Sequence, residues 1–137
     1  MSVDPDAIEI MRQWVRRADG DLKTATHTLK LGRSCPTEAV AFHAQPCVEK
    51  YLKVALVFYR VDPPRVHDIG TLAGLLPSGA LPAWPVREQR ILTAYAVTAR
   101  YPGDFEPITL REARDAVRMA KWVRGHIRRL LPKAALA

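Results

Sequence analysis

Two cysteines in 137 residues are too few for a disulfide scaffold. Cys35 and Cys47 stand among four scattered histidines without the paired spacing of a zinc site, so neither a metal centre nor a cofactor is expected. No apolar run approaches the roughly 20 residues that a membrane span requires. Met1 to Asp6 is acidic, not a basic lead into a hydrophobic signal segment, and the expectation is a cytoplasmic protein without membrane contact. No segment carries the period-two alternation of a half-buried strand. Acidic residues are also in deficit, 14 against 21 Lys and Arg. The resulting formal charge of +7 favours a polyanionic ligand or an acidic partner without identifying either.

At roughly 100 to 200 residues per domain, the chain is expected to form one domain, residues 1–137. Hydrophobic residues at 48% and charged residues at 26% are ordinary globular values, which excludes wholesale disorder. The eleven prolines divide the chain, because proline has no amide donor and disfavours helix in the residue before it. Pro5, preceded by Asp4 as a cap, opens a helix to Gly32. Its stripe is Met11, Val15, Ala18, Leu22, Ala25 and Leu29, in alternating steps of four and three. Thr37 to about Tyr59 reads as a second long helix, with Ala39, Phe42, Cys47, Leu52, Leu56 and Tyr59 as burial candidates and a kink at Pro46. Arg60 to Val66 is a linking segment. A short helix over about His67 to Leu76, carrying Ile69, Leu72 and Leu75/Leu76, precedes a Pro77 to Pro85 loop. A fourth helix covers about Val86 to Ala99, with Ile91, Leu92, Tyr95 and Val97, and stops before the Tyr101-Pro102-Gly103 turn. Thr109 to Leu131 forms the last helix. Thr109 and Glu112 are spaced as a capping box, and the stripe is Ala113, Val117, Ala120, Val123/Arg124 and Ile127. The expected architecture is all-α: a five-helix, mostly antiparallel up-and-down bundle.

Three polar groupings can carry chemistry. On the second helix, Lys50 and Lys53 lie three residues apart and can hold phosphate as two point charges, while Glu49 can pair with Lys53 at a spacing of four. The same residues also describe a solvated helix face with an ordinary salt bridge. His67-Asp68 opens the third helix, where His67 can titrate or donate to a phosphate and Asp68 can orient a cation; alternatively the pair initiates and caps the helix. Arg100-Tyr101 sets a forked cation beside an aromatic ring at a turn, suited to a phosphate plus a stacked base and equally to loop packing. Arg60 and His67 also bracket six residues in an Arg-x6-His match, of which about one is expected by chance in a chain this rich in arginine. His126 has Arg124, Arg118 and Arg114 upstream, none at such a spacing. Cys35 and Cys47 read as a loop residue and a small buried residue, not as nucleophiles.

Taken together, these fragments resemble the HEPN family, the helical domains named from higher eukaryotes and prokaryotes nucleotide-binding. The resemblance is carried by Trp14 and Ala18-Asp-Gly-Asp-Leu22, by Ala41-Phe-His-Ala-Gln45 followed by Glu49-Lys50 and Lys53, by His67-Asp68 with Leu72, and by Arg100-Tyr101-Pro102. It spans nearly the whole chain. It implies a bundle that commonly dimerises, and many prokaryotic members are encoded with a minimal nucleotidyltransferase. Some members are ribonucleases or toxins of toxin–antitoxin systems. Two features depart from the family: Pro46 interrupts a helix that is regular in relatives, and the family's ribonuclease motif lies at a late helix with a polar residue after its arginine, whereas Arg60 is followed by Val61.

The leading expectation is thus a noncatalytic nucleotide-binding or partner-binding HEPN-like protein, a homodimer and the companion of a nucleotidyltransferase. Lys50, Lys53 and Arg100 would contact phosphates of a purine nucleotide, Tyr101 would stack on or orient the base, and His67-Asp68 would support the pocket. An RNA-cleaving toxin using Arg60, His67 or Arg100 is the enzyme alternative. A ligand-free structural dimer is the third reading.

Overall fold

A computed structural model describes residues 4–96 and 107–137. Asp4 accepts a hydrogen bond from the Asp6 amide at 3.1 Å, and Pro5 occupies the first turn, so α1 (Pro5–Leu29) starts where its cap and its missing donor dictate. The expected stripe is the buried one: Met11, Val15, Ala18, Leu22 and Ala25 are enclosed, and Leu29 is half-buried. The helix closes before Gly32, whose φ of +64° opens a short 3₁₀ turn at Gly32–Ser34.

The second helix, α2 (Thr37–Phe58), runs unbroken through Pro46. From Cys47 to Leu56 every residue is buried except the half-buried Lys50, because α1, α3, α4 and α5 all pack against this helix. The expected burial candidates follow this enclosure. Cys47, Leu52 and Leu56 are buried, Ala39 and Tyr59 are half-buried, and Phe42 is 37% exposed on a first half that is covered along Val40, Ala41, Ala44 and Gln45. The helix ends in a Schellman turn. The Val61 amide donates to the Leu56 carbonyl at 2.9 Å and the Arg60 amide to Val57 at 3.0 Å, with Arg60 left-handed at φ +62°.

The next helix, α3 (Ile69–Gly74), begins two residues later than expected, because Asp68 is its cap and accepts from the Thr71 amide at 2.8 Å. Ile69 and Leu72 are buried, Leu76 is half-buried and Leu75 is 43% exposed. In α4 (Val86–Tyr95), Leu92 and Tyr95 are buried and Ile91 is half-buried; Val97 to Ala99 of the expected helix lie outside the described residues. The Thr93 hydroxyl accepts from the Ile69 amide at 2.9 Å and joins α4 to α3. In α5 (Leu110–Leu130) the Thr109–Glu112 capping box is complete, and the stripe from Ala113 to Ile127 is buried, Arg124 being half-buried at its edge. After Pro132 comes a single extra turn, α6 (Lys133–Leu136). Among the described residues there is no strand.

Side-chain contacts give the helix directions. Moving up α2 from His43 through Tyr51 to Lys53, the partners on α1 move down from Asp21 through Asp19 to Trp14. Moving from Arg124 to Ala134, the partners on α1 fall from Asp19 to Arg12. Both α2 and α5 therefore oppose α1 and run parallel to each other. Their first turns meet where the Thr37 hydroxyl donates to the Ile108 carbonyl at 2.6 Å. The crossover through α3 and α4 returns the chain to that end.

Candidate functional site

Gln45, Glu49 and Lys53 follow one another at steps of four and form a buried polar stripe on α2, all three more than nine-tenths buried. Glu49 is the centre of this stripe. It accepts from Lys53 Nζ at 3.1 Å and from Gln45 Nε2 at 3.1 Å, and its Oε1 lies 2.8 Å from His67 Nδ1. Gln45 Nε2 also reaches the His67 carbonyl at 3.3 Å, which fixes the chain leading into α3. Lys53 Nζ lies 5.7 Å from the centroid of the Trp14 ring, a cation–π contact from α1. Burial raises the pKa of Glu49, but the hydrogen bonds from His67, Gln45 and Lys53 outweigh it and hold the carboxyl below its ordinary value. Glu49 is thus an ionised carboxylate that neutralises Lys53 and orients His67. With Nδ1 so engaged, the imidazole, 67% exposed, can present Nε2 to a ligand or transfer a proton there.

A second network joins α1 to α2 and α5. At 3.6 residues per turn, Asp19 and Asp21 flank the buried Ala18/Leu22 stripe on opposite edges. Asp21 pairs with Lys50, and His43 Nδ1 stands 3.3 Å from the same carboxylate. Asp19 accepts from the Tyr51 hydroxyl, from Arg124 Nε at 2.9 Å and from Arg128 Nη1 at 3.4 Å. Its bond to Arg124 raises the guanidinium's pKa. Burial first, then the bond to Asp19, raises the Tyr51 phenol. Burial, followed by the charges of Asp19 and Asp21, pushes the Cys47 thiol up to about 12, so this cysteine is inert.

The positions expected from sequence are therefore distributed. Lys53 and His67 meet at Glu49, whereas Lys50 turns to Asp21 on α1, so the two lysines end on different carboxylates. Asp68 caps α3. Arg60 is the exposed left-handed residue that closes α2. Arg100 and Tyr101 lie outside the described residues. Sequence reasoning gave no site role to Gln45, Trp14, Asp19, Arg124 or Arg128. The four-residue steps of Gln45, Glu49 and Lys53 were a visible signal, but the contacts of Trp14 and Asp19 join segments distant in sequence. Of the remaining histidines, His126 stacks edge-on against Trp122, with ring centroids 4.7 Å apart. A cavity of about 390 Å³ between α4 and α5, lined by Arg87, Glu88, Tyr95, Glu112 and Arg118 among others, includes none of Lys50, Lys53 and His67. Among the described residues, no group of three or more His, Cys, Asp or Glu can hold a metal ion, and no helix is long and apolar enough to cross a membrane.

An all-helical fold whose long helices are tied by carboxylate networks is the setting in which the comparisons fall. The HEPN domain pattern matches residues 11–130, and the chain belongs to that family. Among solved structures, the crystal structure of TT1696 from Thermus thermophilus is similar, with a TM-score of 0.73 and 26% identity, covering 88% of this chain and 98% of that one. No curated protein matches.

Proposed function

We propose that this HEPN protein is a noncatalytic binding subunit, which takes a purine nucleotide or a protein partner at the Glu49 cluster and acts as a homodimer. The observation that carries the reading is the state of the buried cluster: Lys53 is neutralised by Glu49 and backed by Trp14, while only His67 reaches solvent. Such a cluster holds a surface in one geometry; it does not by itself assemble the several free acids, bases and cations of a phosphodiesterase. Arg100 and Tyr101 complete the proposed nucleotide contacts. A minimal nucleotidyltransferase, in a two-component toxin–antitoxin-like arrangement, is the proposed partner, and an adjacent gene for one would support it.

Calorimetry with ATP, GTP and their monophosphates, with and without magnesium, tests the nucleotide reading. Saturable binding that weakens as salt rises and drops at least tenfold in Arg100→Ala is expected. No saturable binding by any of the four sets the nucleotide reading aside.

The ribonuclease reading draws on the Glu49–His67 contact, since a carboxylate-oriented imidazole can act as a general acid or base. Purified protein incubated with single-stranded RNA and transfer RNA should show no cleavage. Cleavage that disappears in His67→Ala would overturn the noncatalytic proposal.

A further inference from the structure

Along one edge of α1 and onto its C-cap, Lys23, His27 and Lys30 follow at steps of four and three, and across a groove from them stand Lys121 and Arg124 of α5. The groove has a volume of about 260 Å³, and its single acidic lining residue is Asp19. That carboxylate is already engaged by Arg124, Arg128 and the Tyr51 hydroxyl. Lys23, Lys30 and Lys121 have no acidic partner among the described residues and are exposed. Three ammonium groups without acidic partners on the two rims concentrate positive potential along the groove, which attracts an anion. Other cations of the helix contacts differ: Lys50, Lys53, Arg124 and Arg128 all end on carboxylates.

We infer that the α1–α5 groove is a phosphate-chain site, which grips successive phosphates of a linear polyanion such as a single nucleic-acid strand. Lys23 and Lys30 lie two helical turns apart, about 10 Å along the axis, so the rim matches a chain better than a single ion. Lysines act as point charges suited to phosphate, whereas planar carboxylate pairing favours arginine. No Phe, Tyr or Trp lines the groove, so it offers no stacking platform for bases, and binding is independent of sequence. A second copy of this chain is a poor occupant, because a two-fold contact would set like charges face to face. The site shares no residue with the Glu49 cluster and goes beyond the nucleotide reading.

The test compares Lys23→Gln/Lys30→Gln/Lys121→Gln with the equal-charge control Arg87→Gln/Arg90→Gln/Arg111→Gln, which lies outside the groove. Fluorescence anisotropy with labelled 12-mer RNAs of differing sequence is read across a salt series. Each lysine removed should reduce the slope of log K against log salt by about 0.7, hence about 2 for the triple, with about a hundredfold loss at 0.1 M salt. The control should lose less than tenfold, and the RNA sequences should bind alike. Competition by inorganic polyphosphate as strong as by RNA assigns the site to phosphate chains in general; competition by RNA alone assigns it to nucleic acid. An equal loss in the control, no RNA binding by the wild type, equally strong competition by poly-glutamate of the same length, or a changed sedimentation coefficient for the groove triple would each overturn the inference. The ATP and GTP titrations above should be unchanged in the groove triple, so the two sites fail or stand separately.

Discussion

Glu49 ties three polar side chains together. It is the ionised partner of the buried Lys53 and the acceptor for His67 and Gln45, and its pKa is held below the ordinary carboxyl value. A carboxyl with a depressed folded-state pKa stabilises the protein fully above its unfolded value, about 4.3, and loses that contribution as pH falls through the lower folded value. Glu49→Gln, which leaves Lys53 without its anion, is expected to cost about 1.5–3 kcal/mol near neutral pH. In urea unfolding, the gap between the variant and the wild type should narrow on acidification below about pH 4. A gap of the same size at pH 3 would show that Glu49 contributes through shape and not charge. The two cysteines give a second outcome. Native protein treated with iodoacetamide at pH 8 should be modified at the half-buried Cys35, while Cys47, fully buried with its thiol pushed up to about 12, stays intact until the chain unfolds.

At the level of the element, two helix interiors carry a residue that their packing does not require. An added Cβ at Gly20 in α1 or Gly125 in α5 would meet nothing within 4 Å. Gly20→Ala and Gly125→Ala should therefore each stabilise the chain by about 0.5–1 kcal/mol, read from thermal or urea unfolding. A loss at either position would mean that the helix surface there is covered in solution. The end of α2 offers the reverse substitution. Arg60 holds a left-handed conformation that costs an L-residue about 1–2 kcal/mol, and glycine, despite its greater unfolded-state entropy, should gain about 0.5–1 kcal/mol there. Helix positions were legible because their signals are local: Asp4-Pro5, Thr109 with Glu112, and the three-four stripes of α1 and α5. The pattern of α2 is harder to read: its second half, enclosed by its neighbours, has no solvent face from which to infer a stripe, and its first half exposes Phe42, whose hydrophobicity argues for burial.

For the whole molecule, the exposed apolar side chains Ile10, Leu31, Phe42, Leu75 and Val86 leave surface outside the buried core that a second copy can cover. The expected assembly is a homodimer. Sedimentation velocity over a hundredfold concentration range should give a dimer whose dissociation is seen only at the lowest concentrations, and a persistent monomer would reject it.

The long helices, the caps of α1 and α5 and the spacing that lets Glu49 pair with Lys53 are legible from side chains at most a few residues apart. The parallel course of α2 and α5, the turn of Lys50 to α1 and the closing of His67 on Glu49 come from the packing of the helices. The same holds for the basic side chains that α1 and α5 bring to one groove. These depend on which helices meet, and a carboxylate finds its partner through space: Asp19 and Arg128 are 109 positions apart in the chain, yet their side chains are in contact.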